Sequence, residues 1–155
     1  MYRQQPPNRR RVTSAERQQI IGDIIQYLFR NPRLLDIAFQ APNAVDPNGN
    51  KPMALIGDAA LRLVLYEQGY EDNASTETMT DSQNTKATNA NLARLGFGLC
   101  LAELIDLNPS ARGAVPMKLM ATTMEALIGA VYLDCGKDIM VTRRVIIRLG
   151  ILDAL

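Results

Sequence analysis

At 155 residues, 47% of them hydrophobic and 21% charged, the chain has the length and composition of one ordinary globular domain able to bury a sizeable core. Seventeen basic side chains against sixteen acidic ones leave a formal charge of +1, so nothing in the balance demands a polyanionic partner. The sequence contains no histidine, which removes imidazole general bases, Ser-His-Asp chemistry and His-bound zinc together.

Residues 1–13 form a basic arm, with Pro6, Pro7 and the run Arg9 to Arg11 and no acid before Glu16. Such a composition does not fold alone, and it reads as a solvated terminus, an RNA-grasping tail or a mitochondrial transit peptide. From Ser14, taken as N-cap with Glu16 in the first turn, a helix is expected with Ile20, Ile21, Ile24, Ile25 and Leu28 on its buried stripe. Asn31 and Pro32 break it and start a second short helix through Leu34, Leu35, Ile37, Ala38 and Phe39, since Pro suits the first helical position. The segment from Ala41 to Pro52 holds three prolines and no periodicity, so it reads as a loop.

The next run, Met53 to Tyr66, is apolar at helical spacing and carries Asp58 beside a mid-helix glycine, Gly57; the helix is expected to end near Gly69. The polar stretch after it, EDNASTETMTDSQNTKA, holds at most a surface helix with a solvated face. Thr88 caps a further helix, Asn89 to Phe97, with Leu92 and Leu95 inward, and the apolar pattern continues from Leu99 to Leu107 until Asn108 and Pro109 stop it. Met120 to Gly136 is a second strongly apolar run, with Glu125 planted inside it and Ala126, Gly129 and Ala130 small enough for another backbone to come close. Gly136 closes this helix, and a last one, about Asp138 to Leu149, places Ile139, Val145, Ile146 and Leu149 on the core. No stretch alternates convincingly, so the expected fold class is all-α.

A carboxylate in an apolar helix is costly unless something is paired with it. Gly57 and Gly129 each give up roughly 1 kcal/mol of helix propensity relative to Ala, a cost usually tolerated where close packing requires it. If the two helices meet at these glycines, Asp58 and Glu125 approach each other, and a shared cation becomes the natural explanation: a divalent metal with oxygen ligands. The two cysteines, Cys100 and Cys135, have no metal-ligand spacing and are expected to be reduced, buried thiols of an intracellular protein. No apolar run approaches the ~20 residues of a membrane span, and no secretory signal is visible.

These residues carry a resemblance. Asn50 to Leu61, NKPMALIGDAAL, resembles the signature helix of the ribonuclease III domain, Thr88 to Leu95, TNANLARL, its next conserved segment, and Ala121 to Gly136 its last signature helix. The segment FRNPRLLDIAFQ looks like the family's opening helix pair, and the resemblance runs from about Ile24 to about Leu152, closest to the small stand-alone proteins of filamentous fungi. It implies a ribonuclease III-type helical domain over residues 14–155 that forms a homodimer and holds a double-stranded RNA in the valley between two copies. It also implies four acids that gather magnesium, with manganese as a substitute, two lying four residues apart on the first signature helix and two lying three apart on the last. Asp58 and Glu125 match the second member of each pair, while Ala54 and Thr122 stand at the partner positions and Lys51 replaces a further acid. With half the carboxylates gone, the ion is expected to bind weakly if at all. With the sequence running to Leu155, the double-stranded RNA-binding domain that fully equipped relatives carry is not expected, and any RNA contact is expected from this domain itself.

Three functions stay open on these residues. The first is a metal-dependent endoribonuclease, a hydrolase of duplex RNA in which Asp58 and Glu125 are both catalytic and metal-binding. The second is a catalytically inactive relative that binds RNA or serves as a ribonucleoprotein scaffold. The third is a helical domain whose acids are structural: Arg62 lies four residues after Asp58 on the same helical face, and Lys51 would neutralise Glu125. Candidate phosphate contacts, Arg9 to Arg11, Lys86, Arg94, Arg112 and Lys118, rest on charge and expected exposure alone.

Overall fold

A computed structural model describes residues 10–108, 110–111 and 114–154. In chain order these form α1 (Ser14–Ile25), α2 (Pro32–Ala38), α3 (Lys51–Glu71), α4 (Thr76–Lys86), α5 (Asn89–Gly98), a 3-10 turn (Leu101–Leu104), α6 (Met117–Asp134) and α7 (Ile139–Arg148). Among the described residues there is no strand, only an isolated parallel bridge between Gln40 and Asp106 that ties the loop after α2 to the loop before α6. The expected all-α class holds.

The first helix begins one residue earlier in its capping than the sequence suggests. Thr13, not Ser14, is the N-cap, and its hydroxyl accepts from the Glu16 N–H while the Glu16 carboxylate accepts from the Thr13 N–H, a reciprocal capping box. The helix stops at Ile25, where Gln26 turns left-handed with φ 52°. Leu28 therefore falls outside it and is 81% exposed, and Ile20 also faces solvent, so the stripe keeps Ile21 and Ile25 buried with Ile24 partly buried against the core. Asn31 caps α2 with Pro32 at its first position, as expected. The doubtful polar stretch does fold as α4, with Gln83 its buried residue.

The molecule is built around α6. Its apolar residues are buried on nearly every side, and it packs along α3 and against α5, α2 and α7. Contact with α3 is backbone to backbone. A Cβ added to Gly57 would lie 1.6 Å from the carbonyl oxygen of Glu125, and one added to Gly129 would lie 2.3 Å from that of Met53. No other side chain fits at either position, so the two mid-helix glycines are the condition for this packing.

Polar groups inside the core lock its ends. The Asp134 carboxylate, at the end of α6, accepts from the Tyr27 hydroxyl at 2.6 Å and from the Arg30 and Asn31 N–H groups at 2.8 Å, fixing the approach to α2. Arg17, 2% exposed, donates to the Leu104 carbonyl at 3.0 Å and to Asp36 at 2.8 Å and lies over the Phe39 ring. Its Nη2 stands 3.1 Å from Asp106 without hydrogen-bond alignment, an ion pair by distance only.

Candidate functional site

The glycine contact delivers what the sequence led one to expect of the acids. Asp58 follows Gly57 on α3, and Glu125 is the residue whose carbonyl Gly57 touches on α6, so the two carboxyl groups share one surface where the helices are closest. Both are partly buried. Burial pushes the Glu125 carboxyl up to about 7, the Asp58 charge pushes it the same way, and Arg62 opposes them.

Arg62 completes the group. Its Nε donates to both oxygens of Asp58 at 3.1 Å, with 55% of the arginine side chain and 31% of the aspartate side chain exposed. The i, i+4 pairing read from the sequence is therefore present, whereas the alternative partner is not: among the described residues no ion pair joins Lys51 to Glu125, and Lys51 is exposed at the start of α3.

At the two positions where acids were expected, Ala54 is buried at 4% exposure and offers no donor atom, and the Thr122 hydroxyl donates back to the Lys118 carbonyl at 2.9 Å. Among the described residues no three acids, histidines or cysteines gather as a metal cluster. Asp58 and Glu125 are the acids that remain at the signature positions. The cysteines differ from expectation, since Cys100 is exposed and Cys135 is half-buried; both are free thiols.

Of the basic candidates, Arg10 pairs with Glu16, Arg94 hydrogen-bonds Asn91, Lys118 is exposed in the first turn of α6 and Lys86 is half-buried at the end of α4. Arg11 is exposed near Asp106, and Arg9 and Arg112 lie outside the described residues. A cleft of about 640 Å³ opens elsewhere, between α1 and α2, but Asp36 and Asp106 offset its arginines Arg11, Arg17 and Arg33, and neither Asp58 nor Glu125 lines it.

One structural residue of this region escaped sequence reasoning. Asn50, wholly buried before α3, donates to the Ala38 carbonyl at 2.9 Å and to the Thr123 hydroxyl at 3.1 Å, joining α2, α3 and α6. Its one signal was a polar residue directly before the Lys-Pro that opens the helix.

Residues 51–136, more than half of the chain, match the family model for the ribonuclease III domain. The chain belongs to the ribonuclease III domain family. Among curated relatives, the Ribonuclease 3 of Alkalilimnicola ehrlichii is 30% identical over 134 residues, covering 83% of this chain and 58% of that protein. The Dicer protein of Schizosaccharomyces pombe is 26% identical over 148 residues, covering 75% of this chain and 11% of its own length. The chain thus spans little more than half the length of the bacterial relative. The nuclease domain of ribonuclease III from Campylobacter jejuni superposes with a TM-score of 0.75 at 21% identity, over 84% of this chain and 94% of that one; the structure is described as showing flexibility in a region involved in dimer formation. A second structure of the same nuclease domain gives 0.73 at 20% identity, over 88% and 97%. The family match takes in both Asp58 and Glu125, and the solved domains share the helical fold. Among the described residues no helix is long and apolar enough to cross a membrane.

Proposed function

We propose that this ribonuclease III domain acts on double-stranded RNA as a homodimer and cleaves its phosphodiester backbone from a reduced site made of Asp58 and Glu125. One observation carries the reading: Gly57 and Gly129 bring the α3 and α6 backbones into contact, which sets both acids at one surface and leaves the Glu125 carboxyl titrating near neutrality. The donor set suits one weakly held divalent ion and not a four-acid centre, because Ala54 contributes nothing and Thr122 only a neutral hydroxyl. Asp58 and Glu125 would hold that ion, which supplies Lewis-acid chemistry at a phosphodiester. The chain itself supplies the two carboxylates that would hold it, a guanidinium held at Asp58 and a rigid two-helix frame.

The dimer reading rests on α3 as well. Leu55, Leu63, Tyr66 and Tyr70 are exposed along one side of this helix, and Leu55 is 73% exposed on the signature segment itself. A second copy covering this stripe would lie beside both Asp58 and Arg62.

A second reading has its own observation. Arg62 already satisfies both Asp58 oxygens, which favours an RNA-binding or scaffolding relative that does not cleave. Incubating long duplex RNA with the purified protein in magnesium, in manganese and in chelator, beside Glu125→Gln, separates the two. Metal-dependent cleavage that disappears in the variant is expected; binding without cleavage under every metal selects the second reading, and neither binding nor cleavage removes both.

A further inference from the structure

The two acids share a positive charge that the chain carries itself. Arg62 follows Asp58 by one helical turn, its Nε reaches both carboxylate oxygens at 3.1 Å, and its charge acts on Glu125 as well. Its backbone is anchored from the neighbouring helix, since the buried Gln83 of α4 donates to the Arg62 carbonyl at 2.9 Å. The arginine side chain is more than half exposed, so its guanidinium can swing aside without opening the fold. A solvent-exposed i, i+4 pair adds little to stability, so folding energy does not explain the arrangement. Its effect on a divalent ion is larger. A divalent ion approaching Asp58 meets the edge of the carboxylate where the Arg62 Nε–H is shared between both oxygens, and the guanidinium repels a doubly charged ion a few ångströms away. Even at the high effective dielectric of a half-exposed site, that repulsion amounts to about tenfold in affinity.

We propose that Arg62 is the resident counter-cation of this site and sets how tightly the site takes a divalent metal, so that binding proceeds by displacement of its guanidinium from Asp58. The inference rests on the assignment of Asp58 and Glu125 as the site, and it predicts a cation-dependent element that is specific to a chain with two acids rather than four.

The test is a manganese titration of the full chain without RNA, read from the electron paramagnetic resonance signal of free manganese. The variants are Arg62→Gln, Arg62→Lys and the double variant Arg62→Gln/Asp58→Asn, with far-ultraviolet circular dichroism as the check on folding. Arg62→Gln should bind manganese about tenfold more tightly than the parent, Arg62→Lys should stay near the parent because the charge is kept, and adding Asp58→Asn should abolish the gain. Equal or weaker affinity in Arg62→Gln, no measurable binding in it at all, or a gain that survives Asp58→Asn would each overturn the proposal. Failure of the parent to cleave duplex RNA bears on the proposed function alone, because the titration contains no RNA.

Discussion

Glu125 is held in a position that disfavours its charge, and this fixes the sign of its effect on stability. Its carboxyl titrates near 7 in the folded chain against an ordinary value of 4.5, raised first by burial and then by Asp58. Between those two values the folded state binds more protons than the unfolded one, so stability falls as pH rises through that window and the full penalty is present above 7. Replacing Glu125 with Gln removes the titration while keeping the shape. Relative to the parent, the variant should therefore gain about 1–2 kcal/mol between pH 4.5 and pH 8, once screening at a half-buried site is allowed for. Urea unfolding of both proteins at the two pH values measures this directly, and the difference between them cancels the titration of groups that do not interact with Glu125. An unchanged difference would mean that Glu125 has an ordinary environment, and the case for a poised carboxyl at this site would fail.

At the scale of the element, the α3–α6 pair is decided by its glycines. Gly57→Ala would place a methyl group 1.6 Å from a carbonyl oxygen that belongs to another helix's backbone, and neither helix yields without losing the contact along its length. The expected cost is about 3 kcal/mol or more, among the largest effects of a single methyl group. Gly98→Ala is the control, because a Cβ there meets nothing within 4 Å and the change should be neutral within about 0.5 kcal/mol. Equal urea midpoints for the two variants would show that the helices are not in contact. This packing was legible in the sequence because glycine in the middle of an apolar helix has a local cost that asks for a reason. The polar interior was not. Asp134 finds the Tyr27 hydroxyl 107 residues away, and Arg17 finds the Leu104 carbonyl 87 residues away, pairings that no local pattern encodes. Boundary errors have similarly local causes: Thr13 and Ser14 are adjacent residues that can both cap, with only Thr13 three residues before Glu16, and Gln26 ends α1 in a left-handed conformation, which strands Leu28 outside a stripe that periodicity alone would extend.

For the molecule as a whole, the question is what becomes of the outer side of α3. The inner side of this helix carries Met53, Ala54, Gly57, Ala60, Leu61, Val64 and Leu65 into the core, as an amphipathic helix should. The outer side carries Leu55, Leu63, Tyr66 and Tyr70, which a helix facing only water does not need. Periodicity found the buried side but said nothing of the outer one, since an apolar residue facing a partner copy and one facing the core look alike in a single sequence. Specific interfaces bury roughly 800 Å² on each partner and draw most of their energy from a few central apolar or aromatic anchors. Leu55, at 73% exposure on the segment that also carries Asp58, is the natural anchor of a two-fold contact. Leu55→Arg should therefore convert a dimer into a monomer, as measured by light scattering on the eluting size-exclusion peak at tens of micromolar protein. Its far-ultraviolet spectrum should not change, because the side chain makes no part of the monomer core. Cleavage or binding of duplex RNA should fall with it if the substrate spans two copies. A parent protein that elutes as a monomer, or a Leu55→Arg protein that remains dimeric, would remove this stripe as the interface and leave its exposure without a role.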